Sequence, residues 1–598
     1  NTNIKSIERQ NIDNVTFVNE IPSTVFDKSA NKIVNEDNTW DVSAQQDKSI
    51  LAWYTKNSNG TLKVNIGSDY EIFGNYNSSR LFAYVGTSTS CTSTETITNI
   101  GLLNVASVVN MYAMFDGTGR TAMTKLDLGS NFDTSNVTNM GAMFWSTGSY
   151  KMTTLNLGSS FNTSKVTDMS HMFYGTGYTA MTGLDLGEHF DTSKVTNMQY
   201  MFYTTGYTAM TTLNLGGNFD TSNVTDMSYM FYQTGRQKLT TLDLGSKFNT
   251  SKVTNMAGMF NWMGALKTLN LGANFDTSNV TNMHGMFWGT GNSGMTSFSL
   301  GTKFNTSKVE NMSSMFYDFA QNIQTLDLGD LFYTTSVTDM ANMFRGTGAT
   351  AMTSLDLGPA FTQIPDGTIT QTASDGTTTT YNAHQDIFAN TGKSGSMTIH
   401  APEAIFYGKN YFKYNADATA SAINYTRGTI EPKYRTEWKK ESVTVDTTTA
   451  SNPKIKITLR GTTNTALAKE EYTSDVTSLL NQQNLANNIK ILIDGTDITS
   501  KVTKEIGSAT QTTNAKTGAK DVLQTITISK FEQARESGKS YKEWSGNITI
   551  QVAQKTLKDK YGNSNVEVTS AGYRADNSVV DTTKVSQNTT NSMFADFI

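Results

Sequence analysis

The sequence predicts a mainly β protein: a solenoid of about ten coils with an N-terminal cap, followed by a module of antiparallel strands. Two patterns predict this architecture. A Met-Phe pair recurs at spacings of 27–29 residues, and four segments of mostly alternating apolar residues follow residue 431. The Phe of the recurring pair is found at Phe115, Phe144, Phe173, Phe202, Phe231, Phe260, Phe287, Phe316 and Phe344. Because one such coil cannot bury its own apolar side, neighbouring coils must stack, and the result is a long surface suited to binding.

Each repeat also predicts which side chains face inward. In Leu155-Asn156-Leu157 the alternation indicates a short strand with both Leu buried and the middle residue exposed. We therefore expect buried side chains at Leu155, Leu184, Phe173 and Phe202, and exposed side chains at Asn156 and Asp185. Most of the 27 Met residues belong to the repeat, and we interpret them as flexible core filling instead of metal or redox ligands. Thr-Ser pairs such as Thr163-Ser164 are too small for a core, so we expect ladders of hydroxyls that satisfy turn backbone.

The loop after each Met-Phe pair is predicted to form an exposed edge, because all variation in repeat length falls there. Aromatic residues mark this edge. They are Trp145, Tyr174, Tyr178, Tyr203, Tyr207, Tyr232 and Trp288, with Trp262 and Tyr317 beside them. An exposed aromatic strip is a common way to hold sugars or protein anchors, whereas rings stacked at the coil spacing can equally pack on one another. The sequence leaves both interpretations open, so these residues are candidate ligand-binding residues.

A second column consists of the outward residue of each predicted strand. It contains Asp127, Asn156, Asp185, Asn214, Asp243, Asn270, Ser299, Asp327 and Asp356. Two carboxylates about 4.8 Å apart repel by roughly 0.9 kcal/mol in water, and placing Asn between them removes most of that cost. The alternation therefore has a structural explanation. It fails at Asp327 and Asp356, which lie on adjacent coils and are the best candidates to bind a cation or a basic partner.

The repeat resembles that of a known family. The segment Phe132 to Phe144, with the pattern Phe-Asp-Thr-Ser-Asn-Val-Thr-Asn-Met-x-x-Met-Phe, is similar to the BspA-like leucine-rich-repeat surface proteins of bacteria. The resemblance covers roughly residues 36 to 410. It implies a leucine-rich-repeat solenoid on a cell-surface protein, often an adhesin, and it carries over no catalytic residue.

Four regions are predicted. Residues 1–100 form an N-terminal cap, and residues 101–415 form the leucine-rich-repeat solenoid, with a hairpin insertion near 363–383 signalled by Asp375-Gly376. Residues 431–575 form an Ig-like β-sandwich, and residues 576–598 are a linker or the start of a further module. Such modules resemble those that space bacterial surface proteins from the cell wall.

Composition narrows the function further. A net charge of −5 and a pI near 5.7, with no basic stripe, argue against nucleic-acid binding. The single cysteine, Cys91, excludes a disulfide framework, and we expect it at the surface. A large extracellular protein of this kind is typical of Gram-positive cell surfaces. No apolar run predicts membrane insertion, so the anchor is expected to lie elsewhere.

The expected function is therefore binding. The five His are scattered at no metal-ligand spacing, and no catalytic constellation or cofactor motif stands out, so we expect no enzyme, metal or cofactor. The main hypothesis is a cell-surface adhesin that binds a protein or glycan through the repeats. The alternative is a structural protein that self-assembles into a surface layer or filament.

Overall fold

The computed structural model describes residues 7–372 and 375–402. Beyond these it describes residues 405, 425, 427–434, 436–446, 454–463, 489–493, 496–507, 510–513, 520–530, 548–552 and 568–569. The chain is mainly strands with almost no helix. Short 3₁₀ turns are found at Arg9–Asn11, Ile100–Leu102 and Thr499–Lys501. The predicted linker at 576–598 lies outside the described residues.

The N-terminal region is a five-stranded sheet with small additional strands. Its strands are β1 (Ile12–Val18), β2 (Phe26–Asp27), β3 (Lys32–Ile33), β4 (Thr39–Asp41), β5 (Leu51–Lys56), β6 (Leu62–Gly67), β7 (Ile72–Phe73), β8 (Ile97–Thr98) and β9 (Leu103–Asn104). The main sheet has the order β4-β5-β6-β1-β8. Phe17 of β1 is 1% exposed and contacts the Phe82 ring edge-on at 6.0 Å. The sheet therefore covers the apolar end of the first coil.

Most repeats contribute one short strand along one side. These are β10 (Lys125–Asp127), β11 (Thr154–Asn156), β12 (Gly183–Asp185), β13 (Thr212–Asn214), β14 (Thr241–Asp243), β15 (Thr268–Asn270), β16 (Thr325–Asp327) and β17 (Ser354–Asp356). They pair in parallel, as in β10 with β11, where Leu126 lies opposite Leu155. A second parallel column of single bridges joins Asn77, Asn110, Asn139, Asp168, Asn197, Asp226, Asn255, Asn282, Asn311 and Asp339. Successive repeats are thus tandem, parallel and in register.

The predicted inward and outward positions are confirmed. Leu155 and Leu184 are 6% and 2% exposed, and both Phe173 and Phe202 are fully buried. Asn156 and Asp185 are exposed. The inner Met side chains, such as Met169 and Met172, are buried in the same continuous apolar cluster. This agrees with their interpretation as core, since a flexible thioether fills irregular space between stacked rings.

A column of Phe rings runs through the core. The rings of Phe82, Phe115, Phe144, Phe173, Phe202, Phe231, Phe260, Phe287, Phe316, Phe344 and Phe388 stack with centroids 5.3–5.7 Å apart. Stacked rings at this distance are favourable beyond the area that they bury. The column begins at Phe82, within the region predicted as a cap. One apolar cluster therefore joins the N-terminal region to the repeats.

Buried Thr hydroxyls join the coils to one another. Thr163 Oγ1 donates to the carbonyl of Asp191 on the following coil at 2.8 Å, and Thr192 donates to Asp220 at 2.7 Å. A second set of Thr hydroxyls donates to carbonyl groups of the preceding coil, as Thr205 Oγ1 does to the Phe173 carbonyl at 2.6 Å. The predicted ladder is confirmed for the Thr of each pair, but the expectation that these residues are too small for the core is wrong, since Thr163 is only 1% exposed. The ladder satisfies backbone groups that would otherwise be buried without a partner.

Beyond the regular repeats, the parallel pairing of the short strands continues. A hairpin of β18 (Thr368–Thr372) and β19 (Thr378–Asn382) occupies the predicted insertion, and β20 (Met397–Pro402) and β21 (Gly428–Tyr434) extend the sheet of β16 and β17 in parallel. The parallel sheet of β16 and β17 thus continues through β21.

Two antiparallel sheets follow. Their strands are β22 (Thr436–Asp446), β23 (Lys454–Thr463), β24 (Ile489–Ile493), β25 (Thr496–Asp497), β26 (Thr503–Ile506), β27 (Thr510–Thr513), β28 (Lys520–Ser529), β29 (Ile548–Val552) and β30 (Val568–Thr569). One sheet has the order β22-β23-β28-β26, with β27 also paired to β28, and the other has the order β25-β24-β29-β30.

The expected surface position of Cys91 is wrong. The residue is 5% exposed, and its Sγ lies 3.5 Å from the Gln10 carbonyl oxygen. Burial, with the nearby Asp13 charge, raises the pKa of the thiol to about 11. Cys91 is therefore a small apolar core residue and a poor nucleophile.

Candidate functional site

The aromatic edge follows directly from the repeat. Each core Phe is buried, and the chain turns immediately after it, so the next side chain lies outside the core. Four consecutive coils place an aromatic residue there: Trp145, Tyr174, Tyr203 and Tyr232. Their ring centroids are 4.9 Å (Trp145–Tyr174), 4.4 Å (Tyr174–Tyr203) and 4.4 Å (Tyr203–Tyr232) apart. All four side chains are half-buried.

A second column lies beside the first and was missed by the sequence reasoning. It contains His171, Tyr200 and Tyr229, each two residues before a core Phe. The backbone is left-handed at these positions, with φ of 58°, 58° and 55°. His171 stacks on Tyr200 at 4.8 Å, and Tyr200 on Tyr229 at 5.0 Å. The 29-residue recurrence of these rings was a signal in the sequence. We call the two columns together the aromatic ridge.

The two columns also contact each other. Trp145 lies 5.2 Å from His171, and Tyr200 lies 5.5 Å from Tyr203. The structure therefore shows the packing of rings on one another that the sequence left open. Ring faces are used in stacking, whereas ring edges remain partly exposed along the ridge.

The ridge is uncharged near neutral pH. Burial lowers the pKa of His171, so its imidazole stays neutral, although the Asp168 charge opposes this shift. Burial likewise raises the pKa of the phenols of Tyr174 and Tyr229 above its usual range. The ridge thus presents polarisable apolar edges and hydroxyl groups, which suits contact with side chains of a partner.

Tyr178 and Tyr207 form a separate pair. Their rings stack at 4.7 Å, and the Tyr207 hydroxyl accepts a hydrogen bond from Arg236 at 2.8 Å. The Arg236 guanidinium also lies 4.6 Å from the Trp262 ring centroid. A cation between two rings makes this patch more polar than the ridge.

Trp288 belongs to a third patch. Asn261 stands where the ridge would place its next aromatic residue, and beyond this interruption the Trp288 ring lies tilted against that of Tyr317, with centroids 4.8 Å apart. The predicted aromatic residues are thus divided among the ridge, the Tyr178–Tyr207 pair and the Trp288 patch.

The column of outward strand residues from Asp127 to Asp356 is stabilised by hydrogen bonds between its side chains as well as by the alternation of Asp with Asn. Asn156 Nδ2 donates to Asp127 Oδ1 at 3.0 Å, and Asn214 donates to Asp185 in the same way at 3.0 Å. Each of these side chains also accepts from the backbone N–H two residues later, as Asp127 does from Gly129. The coil of Ser299, which lacks this Asx side chain, forms no strand at that position.

The expected exposed pair of Asp327 and Asp356 is not formed. Asp327 is exposed, but Asp356 is only 6% exposed, since β20 pairs beside it and places His400 opposite. Its Oδ1 accepts from the N–H of Gly358 at 3.1 Å. Asp356 therefore offers no open carboxylate to a cation or a basic partner. Within the described part of the chain, no group of three or more His, Cys, Asp or Glu is placed to hold a metal ion.

His284 and Ser313 make a contact that the sequence did not indicate. His284 Nδ1 lies 2.8 Å from Ser313 Oγ, and burial lowers the pKa of His284. Ser313 is 4% exposed, and its hydroxyl also donates to Asn311 Oδ1 at 2.7 Å. A buried hydroxyl held in this way has no room for a substrate, so we interpret the pair as structural.

A pocket lies where the aromatic ridge ends at Trp145. Its volume is about 430 Å³, and its lining includes the small residues Ala113, Gly117 and Ala142. The larger residues of the lining are Arg80, Tyr84, Tyr112, Asp116, Arg120 and Trp145. We call this the Trp145 pocket.

Asp116 is the buried polar group of the Trp145 pocket. It is 9% exposed, and its interaction with the Tyr84 hydroxyl raises the pKa of that phenol. Burial raises the pKa of Asp116, while the Tyr84 hydrogen bond and the Arg80 charge act in the opposite direction. No sequence motif marked this pocket, because it arises where ridge residues are replaced by small ones.

Comparison with known proteins gives one family. Residues 86–207, 151–240, 205–297 and 237–356 match the family described as "Mycoplasma protein of unknown function, DUF285". The overlapping matches cover the tandem repeats and agree with their repetition. No curated protein and no solved structure matches the chain significantly. Among the described residues, none forms a helix with the length and apolar character needed to cross a membrane.

Proposed function

We propose that the chain is a non-enzymatic cell-surface adhesin that binds a protein or glycan through its repeats. In this proposal residues 101–415 form a leucine-rich-repeat solenoid of the BspA-like type. The strands after residue 431 form an Ig-like β-sandwich that spaces the repeats from the cell. The protein acts outside the cell, on a Gram-positive surface. The parallel stacking of the repeats and the two antiparallel sheets that follow support this arrangement.

The aromatic ridge is the observation that carries the proposal. The surface of the repeats is otherwise mostly Thr, Ser, Asn and Asp, whereas the ridge places seven rings side by side in half-buried positions. Aromatic residues are enriched where proteins bind partners, because they bury large area at small entropic cost. Mutual stacking holds the rings in place before a partner arrives, which reduces the cost of ordering them.

Self-assembly into a layer or filament is the second candidate. The N-terminal end of the repeats disfavours end-to-end growth, because Phe17 packs edge-on against Phe82 and closes the ring column there. Side-by-side association through the ridge is the form that remains. Sedimentation velocity over increasing protein concentration distinguishes the two functions: the adhesin stays monomeric, whereas the assembly protein forms larger species.

The test of adhesion is capture on an array of glycans and host extracellular proteins. The wild-type chain is compared with a variant carrying Tyr174→Ser, Tyr203→Ser and Tyr232→Ser, and with the control Asp327→Asn. Loss of capture in the triple variant, with unchanged circular dichroism, supports the ridge as the contact surface. Capture through apolar rings should respond weakly to salt, since screening acts on charge. Equal capture by the triple variant overturns the assignment.

A further inference from the structure

The Trp145 pocket is an interruption of the aromatic ridge. On the next three coils the residue two before the core Phe is His171, Tyr200 or Tyr229, whereas here it is Ala113 or Ala142. The residue after the core Phe is Asp116 in the coil that precedes Trp145. Among the described residues, Trp145 therefore has ring contacts on the following coil only: it stacks on His171 and lies tilted against Tyr174. Its other side has no ring against it in the described chain and faces the pocket.

The pocket combines three kinds of group. The open side of Trp145 is an apolar platform. Asp116 and Tyr84 place a carboxylate and a phenol hydroxyl together in its wall. Arg80 and Arg120 are exposed at the rim and carry positive charge in a chain whose net charge is −5.

The two guanidinium groups are not used in ion pairs. Among the described residues, neither has a carboxylate oxygen within 4.0 Å. Arg80 lies 5.8 Å from the Tyr112 ring centroid, and Arg120 lies 5.4 Å from that of Tyr150. Arg345, by contrast, is paired with Asp386 at 2.7 Å. Arg120 also donates one N–H to the Tyr150 hydroxyl at 3.3 Å. Rings thus hold Arg80 and Arg120 at the rim, and the other N–H groups of the two guanidinium groups can meet an anion.

We propose that the Trp145 pocket binds one pyranose residue that carries a carboxylate, at the end of a glycan chain. The C–H face of the sugar packs on Trp145, its hydroxyls bond to Asp116 and Tyr84, and its carboxylate meets Arg120 and Arg80 at the rim. A volume of about 430 Å³ lies in the range of small-ligand pockets, which combine apolar lining with a few placed polar groups. This inference rests on the proposed adhesive function, because it names the chemistry of the ligand.

Isothermal titration calorimetry of the full chain tests the proposal. The probes are methyl β-D-glucuronide and the methyl glycoside of N-acetylneuraminic acid, with methyl β-D-glucoside as the neutral counterpart of the first. We expect at least one of the two acidic sugars to bind. If the glucuronide binds, the neutral glucoside should bind about tenfold more weakly, because it lacks the carboxylate that forms charge-assisted hydrogen bonds. No binding of either acidic sugar at millimolar concentrations overturns the proposal.

Two matched variants locate the site. Ala142→Tyr places a ring in the pocket at a position where Tyr200 and Tyr229 already accept the same left-handed backbone, and it should abolish binding. Ser314→Tyr makes the same addition at the equivalent position of a distant coil, where φ is 56°, and binding should persist. Unchanged binding in a folded Ala142→Tyr variant contradicts the assignment.

Arg120→Ala gives an independent result if Ala142→Tyr does not fold. Arg120 is exposed, so its loss leaves the core intact, and the acidic sugar should bind about tenfold more weakly. Equal affinity in this variant overturns the proposal. Sugar binding without capture of any macromolecule on the array supports the pocket and refutes adhesion, whereas capture without sugar binding supports adhesion and refutes the pocket.

Discussion

Replacing Phe202 by Ala tests the ring column on which the repeats depend. Phe202 is fully buried, and its ring stacks on Phe173 at 5.5 Å and on Phe231 at 5.3 Å. Truncation opens a cavity between two coils and removes both stacking contacts. Phe→Ala changes in cores cost about 3–5 kcal/mol, and we expect the upper half of that range because two aromatic pairs are lost together.

Urea unfolding followed by circular dichroism measures this effect. Because stability in stacked repeats depends on interfaces between neighbours, the variant should also broaden the transition as the two halves uncouple. Phe202→Leu, which keeps most of the volume, should cost less, and the exposed Lys238→Ala should lie within about 0.5 kcal/mol of wild type. A Phe202→Ala curve that overlays the wild-type curve would refute the core assignment.

Three further predictions concern single contacts. Thr205→Val removes the buried hydroxyl that donates to the Phe173 carbonyl at 2.6 Å, and it should lower the free energy of unfolding by about 1–3 kcal/mol in urea titrations. An unchanged value would show that this carbonyl finds another donor. Asn156→Asp replaces the hydrogen bond to Asp127 by two facing carboxylates, and it should destabilise by about 1 kcal/mol at pH 7 and low salt. The loss should shrink in high salt or when the pH falls below the carboxyl pKa, and a salt-independent loss would exclude repulsion as its cause. Cys91, whose pKa is raised to about 11, should react with iodoacetamide at pH 8 only after unfolding, and rapid labelling of the folded chain would contradict its burial.

The repeat core was predictable because its signal is repeated many times. Each coil places Leu, Val, Met and Phe at fixed offsets, so the buried set around Leu155 and Phe173 followed from periodicity alone. The parallel register followed as well, since a slip would expose every inward side chain. Cys91 was misplaced because a single cysteine carries no periodic signal.

The candidate site was predictable only in part. The first column of the ridge lies next to the Met-Phe pair and was identified, whereas His171, Tyr200 and Tyr229 were missed because a left-handed backbone turns them outward from within the apolar stretch. Asp356 appeared exposed by its position in the column, but β20 comes from more than 40 residues later in the chain and covers it. The Trp145 pocket depends on small residues in two coils that stack in space. No linear pattern marks such an arrangement.

Adhesion of coated microspheres tests the central claim most directly. Beads that carry the wild-type chain are placed on host-cell monolayers, beside beads that carry the variant with Tyr174→Ser, Tyr203→Ser and Tyr232→Ser. Circular dichroism confirms that both chains are folded. We predict that wild-type beads are retained under flow and that the variant beads are released. Equal retention of both, or of neither, would contradict the claim that this protein adheres through its aromatic ridge.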